Sequence, residues 1–374
     1  MTELTAIDLF CGAGGLSEGF RQAGYHILAG NDFSQVAGAT FAATHRQAKF
    51  LGGPIQGIPV REFIKASGVK AGRLSVLTGG PPCQGFSVNN HQRGMHDLRS
   101  SLYLEYLRIV EGLRPDWVVL ENVTGMTSAG GGEAVNAIIE SLRSLGYNVD
   151  ARILKAEDYG IAQERRRLVF IGNRIGLPVI WPERTHGSAK PFANVWDAIG
   201  DLPPLANGEN PGPRPYASKA RSDLQKYVRD GSTRVTCHVA SRLASVNVER
   251  MKHIPQGGSW RDIPQSLLPK GMQRAKRSDH TKRYGRLKWD GLASTILTKC
   301  DPHWGAYFHP EQDRAITVRE AARFQAFPDW FEFQGSRTEQ YVQVGNAVPP
   351  LLGLRIAEAI KASIAFGQHL AAAE

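Results

Sequence analysis

Two glycines and two prolines in succession, Gly79-Gly80-Pro81-Pro82, interrupt the chain directly after the apolar run Leu74-Ser75-Val76-Leu77. The run is too short for a helix and reads as a buried strand. The glycines end it, and the prolines, which carry no N–H, fix the backbone direction and stop regular pairing. The next residue is a thiol, Cys83, followed by the polar stretch Gln84-Gly85-Phe86-Ser87. A strand that stops at a rigid turn is where an open α/β sheet places its chemistry. Free cysteines most often serve as small core hydrophobes. Here the neighbouring segments argue for more.

The same grammar recurs along the first half. Residues 5–10 read as a strand, Cys11-Gly-Ala-Gly-Gly15 as a tight loop, and residues 16–23 as a helix. Strand, glycine turn and helix make a cofactor cradle, since glycines let the backbone approach and the helix start offers N–H groups. The loop is Phe10-x-Gly12-x-Gly14-Gly15 rather than G-x-G-x-x-G, closer to an S-adenosylmethionine loop than to a dinucleotide loop. Asp32 follows a second strand at residues 25–30, where a carboxylate grips ribose hydroxyls or, alternatively, caps the helix predicted over 34–44. Helices are predicted over 60–67 and 102–113. The polar stretch 88–100 between them reads as a mobile loop able to close over a substrate, with Arg93 and Arg99 as candidate phosphate contacts.

Asp116-Trp-Val-Val-Leu-Glu121 reads as a further buried strand ending on a carboxylate. A charge there is expensive to bury, which suits a proton donor; a solvated strand end is the plainer alternative. A helix is predicted over 131–146, and strands over 147–154 and 167–172 as an antiparallel edge pair. Between these strands lies Gln163-Glu-Arg-Arg-Arg167, in which alternation would put Arg165 and Arg167 on one face. Beyond residue 181 the pattern changes to proline, glycine and isolated charges. Helices are predicted there over 218–230 and 317–327, a turn over 343–350, and a last helix over 351–366.

Charge singles out the same region. Residues 183–290 hold 20 Lys+Arg against 10 Asp+Glu, and the rest of the chain holds 25 of each, so the net +10 lies in one central segment. A localised basic excess is the footprint of a polyanion-binding surface. Its densest run contains Lys276, Arg277, Lys282 and Arg283, with Trp260 and Trp289 nearby in sequence. The four cysteines form no CxxC pair, which argues against a metal site or a disulfide framework and suits a reducing cytoplasm. No run approaches the ~20 apolar residues that span a bilayer, and Met1–Thr5 has no basic leader.

The stretches DLFCGAGG, GGPPCQGFS, ENV, QERRR, REAARFQAFPDWF and QVGNAVPP occur in this order, and RMKHIPQGGSWRDIP and RLKWDGLASTI lie among them. Order and wording resemble the DNA cytosine-5 methyltransferase family, in its bacterial restriction-modification branch, from Ile7 to Pro350. The resemblance implies an α/β fold, a Rossmann-like methyltransferase sheet flanked by helices. It implies a catalytic domain over 1–182 completed by 340–374, and a smaller, loop-rich target-recognition domain over 183–339 whose variable part is 185–285.

The resemblance further implies that Phe10, Gly12, Gly14, Gly15, Asp32, Phe33, Ile55, Asn346 and Ala347 hold S-adenosylmethionine. Pro54 departs from the family, which has an aspartate for the adenine amino group about there, so Ile55 backbone groups would replace it. Cys83 would add to cytosine C6, Glu121 would serve N3, Arg165 would stabilise O2, and Arg167 would brace Glu121 or the loop. The base would have to leave the duplex, with Ser87, Arg93, Arg99 and the basic run contacting double-stranded DNA. A monomer, cytoplasmic and paired functionally with a restriction endonuclease, is expected. A tRNA cytosine-5 methyltransferase, a non-catalytic DNA-binding protein and a nicotinamide oxidoreductase are the competing readings; the first two share the fold, and the loop lacks the fingerprint of the third.

Overall fold

The computed structural model describes residues 3–82 and 102–373. The chain forms two compact units, Met1–Ala156 with Arg166–Arg184 and Ala347–Glu374, and Glu157–Arg165 with Thr185–Asn346.

Short apolar strands build the first unit: β1 (Thr5–Leu9), β2 (His26–Asp32), β3 (Lys49–Gly52), β4 (Val76–Gly79), β5 (Trp117–Val123), β6 (Asn148–Lys155) and β7 (Arg166–Asn173). They form one sheet in the order β3-β2-β1-β4-β5-β7-β6. Strands β1 to β5 run parallel, and β7 pairs antiparallel with both β5 and β6. A parallel strand covered on both faces needs apolar side chains throughout, and every residue of β4 is buried. The edge strand β6 instead carries Asp150, Arg152 and Lys155, charges that discourage further pairing.

Helices α1 (Gly15–Gln22), α2 (Gln35–Thr44), α3 (Val60–Ser67), α4 (Leu102–Leu113) and α5 (Glu133–Ser144) connect the strands. Tyr106 of α4 ties the sheet to this layer, its buried hydroxyl 3.1 Å from both the Leu77 and Val119 carbonyls. The chain returns to this unit as α11 (Pro350–Ala373), which packs on α1. A Cβ on Gly19 would lie 2.4 Å from the Leu354 nitrogen and the Pro350 oxygen, so the two helices meet backbone to backbone.

The second unit carries α6 (Val195–Ile199), α7 (Asp223–Arg229), α8 (Ser245–Lys252), α9 (Val318–Phe324) and α10 (Arg337–Asn346). Its extended segments meet in isolated bridges, such as Gln163 with Ala293 and Arg286 with Phe308. Loops without ladders leave carbonyls to satisfy, and buried arginines do so. Arg286 donates to the carbonyls of Ile254, Met251 and His309 and to Asp313. Arg319 donates to those of Thr236, Pro328 and Phe331. Arg314 and Arg323 meet Glu320, Asp201 and Asp329.

The structure adds strand β3 and helices α6 and α8, which the sequence pattern does not predict, and recasts one predicted turn. Residues 343–346 end helix α10 rather than forming a turn. Gly345 signals close packing there: its Cβ would lie 2.4 Å from the Leu297 carbonyl carbon. For the same reason Gly19→Ala is expected to force α1 and α11 apart, lowering stability by ~1–3 kcal/mol in urea unfolding, whereas Gly57→Ala, which meets open space, should stay near wild type.

Candidate active site

Strands β1 and β4 are neighbours from which the chain departs in opposite directions, so a crevice opens where they end. One buried carboxylate closes its floor. Asp8 of β1 accepts from Ser17 Oγ of α1 at 2.5 Å and from Thr78 Oγ1 of β4 at 2.8 Å.

Above it runs the glycine loop. Phe10, Gly12 and Gly14 all have positive φ, at 56°, 53° and 94°. The loop is pinned from β2: Cys11 N donates to the Asn31 carbonyl at 2.9 Å, and Gly12 N to Asp32 Oδ2 at 2.9 Å. The other Asp32 oxygen accepts from Ser34 N at 2.8 Å. Ser34, not Asp32, caps α2, its hydroxyl accepting from Ala37 N. Burial raises the Asp32 carboxyl above the ordinary aspartate value. A Cβ on Gly12 would meet nothing within 4 Å, so the loop is open at that position, whereas one on Gly14 would lie 2.7 Å from the His45 ring. Beside it Phe33 projects an aromatic ring that is 73% exposed. An open glycine loop, an acidic brace and a bare ring suit a nucleoside-bearing ligand. Ile55 is buried below, and its carbonyl accepts from Arg108 Nη2 at 2.9 Å and from Ile58 N at 3.0 Å.

On the other side of the crevice stands Glu121, near the end of β5. It faces Val169 of β7 in register, and Arg167 lies two residues along, the diagonal cross-strand position. Arg167 Nε approaches Glu121 Oε1 to 2.6 Å, with the two side chains only 14% and 12% exposed. The carboxylate is therefore not an isolated buried charge. Its other oxygen lies 3.1 Å from where a Cβ on Gly80 would stand. Asn122 Nδ2 donates to the Pro81 carbonyl at 3.0 Å. The turn that leads to Cys83 is thus fastened to the strand end that carries Glu121.

The family profile of the C-5 cytosine-specific DNA methylases matches residues 4–362. The chain is 32% identical to the Type II methyltransferase M.AgeI of Thalassovita gelatinovora, over 96% of this chain and 100% of that one. It is 34% identical to M1.HphI of Haemophilus parahaemolyticus, over 96% and 86%. The crystal structure of an E. coli prophage-encoded protein, described as a DNA modification methyltransferase, superposes with a TM-score of 0.75 at 23% identity, covering 97% of this chain and 99% of that one. The chain belongs to the C-5 cytosine-specific DNA methylases.

As a DNA (cytosine-5)-methyltransferase, the chain has the Rossmann-like α/β sheet that its motifs imply. The structure separates the two arginines of QERRR. Arg167 stands on β7 beside Glu121, whereas Arg165 precedes the strand and belongs to the second unit. Arg165 is 1% exposed, and its guanidinium donates to the carbonyls of Ile296 at 3.4 Å and Gly345 at 3.2 Å. Asn346 is the exposed end of α10, and Ala347 begins the return to the first unit. Lys276, Arg277 and Lys282 are exposed and Arg283 half-buried; Lys282 pairs with Glu164 at 2.7 Å. Cys83, Ser87, Arg93 and Arg99 lie outside the described residues. Sequence reasoning missed Asp8, although it lies within DLFCGAGG; a carboxylate inside an apolar strand next to a glycine loop was the available signal. Among the described residues no cluster of side chains could hold a metal ion, and no helix is long and apolar enough to cross a membrane.

Burial pushes the Asp8 carboxyl up to about 6. The folded state therefore holds this proton more tightly than the unfolded chain does. The stability it contributes is complete below pH ~4 and is lost as pH rises through about 6, an effect of ~3 kcal/mol. Thermal unfolding of wild type and Asp8→Asn should show the gap between them moving in the variant's favour from pH 4 to 7; a gap that does not change with pH would mean that Asp8 does not titrate there.

Proposed function

We propose that the chain transfers a methyl group from S-adenosylmethionine to C5 of a cytosine in a short specific sequence of duplex DNA, through a covalent adduct with Cys83. The observation that carries this reading is the Glu121–Arg167 pair, held against Gly80 at the turn leading to Cys83.

Cytosine C5 is a poor nucleophile within an aromatic ring. Addition of the Cys83 thiolate to C6 forms an S–C6 bond and moves electron density through the ring to C5, N3 and O2. Glu121 serves N3, by hydrogen bonding or proton donation. Arg167 orients Glu121, and its remaining N–H groups are the donors we assign to O2. Arg165, which the family resemblance offers for the same oxygen, also donates to two backbone carbonyls of its own unit. The donor molecule supplies an electrophilic methyl group, which C5 takes. A base or water then takes the C5 proton, the C–H electron pair re-forms the C5–C6 double bond, and the S–C6 pair departs with Cys83 as its thiolate. A side chain cannot reach C6 inside a stacked duplex, so the base must be turned out.

Phe10, Gly12, Gly14, Gly15 and Asp32 would hold the methyl donor, with Phe33 against its adenine. With the Ile55 carbonyl engaged, its N–H is the main-chain group left for the adenine edge. The basic region favours DNA over tRNA as substrate. Kinship with Type II enzymes suggests a companion endonuclease, and a cytoplasmic monomer fits this role.

Plasmid DNA incubated with S-adenosylmethionine and bisulfite-sequenced should show methylcytosine in one short context. Methylation of tRNA instead would overturn the DNA reading. Cys83→Ser should abolish transfer while S-adenosylmethionine still binds, as calorimetry would show. Arg167→Ala is expected to lower kcat by 10²-fold or more with little change in donor affinity. Neutralising Lys276, Arg277, Lys282 and Arg283 should weaken DNA binding and flatten its dependence on salt.

A further inference from the structure

The sequence places Trp260 and Trp289 beside the basic run, but the structure gives them other work. Trp260 lies in the core of the second unit, its Nε1 donating to the His280 carbonyl at 3.2 Å and its backbone N to that of Arg283 at 3.0 Å. It thus fastens the basic run from beneath. Trp289 Nε1 donates to Glu311 at 2.8 Å. The aromatic that reaches solvent beside the run comes from further along the chain. Trp304 is 58% exposed, the only one of the seven tryptophans that is largely exposed, and the Arg283 guanidinium lies over its ring, 5.2 Å from the centroid.

This pair is built into the fold. Tyr284 N donates to the Pro302 carbonyl at 2.7 Å and Gly285 N to that of Gly305 at 3.3 Å. The two segments run so close that a Cβ on Gly285 would come within 2.5 Å of Ala306 Cβ. Tyr284 is buried and, with His280, adopts a positive φ uncommon outside glycine. Asp301, also at the surface, is engaged within its own turn, accepting from His303 N at 2.9 Å and pairing with its ring at 2.7 Å. Residues 274–304 hold eight Lys+Arg against three Asp. A rigidly mounted, solvent-facing indole with a guanidinium on its face, in a positive field, offers a flat apolar surface and a phosphate ligand side by side.

We propose that Trp304 and Arg283 form a nucleotide-gripping pair on the DNA-facing surface, the ring packing on a base or sugar and the guanidinium meeting the adjoining phosphate. This rests on the reading of DNA as substrate and adds a non-electrostatic contact to it.

The test titrates the full-length protein with a duplex that it methylates, following iodide quenching of tryptophan fluorescence and the salt dependence of Kd. DNA should shield wild type from iodide and leave quenching of Trp304→Phe unaltered. Trp304→Ala should weaken binding ~10-fold without changing the salt slope, and Trp304→Phe should keep most of the affinity. Arg283→Ala should weaken binding and lower the slope by about one. Wild type that methylates the duplex yet stays equally open to iodide, or Trp304→Ala within two-fold of wild type, overturns this inference and spares the DNA reading. Wild type that neither binds nor methylates duplex DNA overturns both.

Discussion

The crevice depends on a carboxylate without water around it. Asp8 is buried in a parallel strand, where an isolated charge would be intolerable, and two hydroxyls make it tolerable. One hydroxyl comes from α1 and the other from β4, so satisfying this single group ties β1 to both of these elements. The glycine loop is then clamped from the opposite side by Asp32 and Asn31 of β2. A loop with three positive-φ residues would sample many shapes on its own; held from both sides, it keeps one.

The second unit solves the opposite problem. A sheet satisfies its backbone by ladders, but a domain of loops cannot. The arginines of residues 286–323 supply the missing donors from the inside, each guanidinium reaching several carbonyls or carboxylates at once. Part of the basic content that marks this region in the sequence is therefore structural, as Arg286 shows. Other cations of the region stay at the surface, among them Lys276, Arg277 and Lys282, with the half-buried Arg283 beside Trp304. Composition alone cannot separate the two, because a buried guanidinium and a solvated one count the same.

The same distinction governs the candidate site. Arg165 and Arg167 are two residues apart and look equivalent in a sequence. One is enclosed among backbone carbonyls, and the other lies diagonally across a strand pair from Glu121. That difference arises where the strand begins: β7 starts at Arg166, so the alternation assumed from 165 to 167 does not hold. The glycine at 345 likewise looked like a turn residue but serves a close approach, since both uses need the absence of a Cβ.

By itself the sequence determined every strand of the sheet but the short β3, the glycine loop, the strand-ending turn before Cys83 and the carboxylate near the end of β5. Each of these is local: apolar runs, glycines and prolines act on their own few residues. Tertiary structure alone decided which partners those residues meet. It set Asp8 between Ser17 and Thr78, Arg167 against Glu121, and the ring of Trp304 rather than that of Trp260 under the Arg283 guanidinium. Such pairings join residues far apart along the chain, and strand order, register and packing, which no local pattern encodes, bring them together.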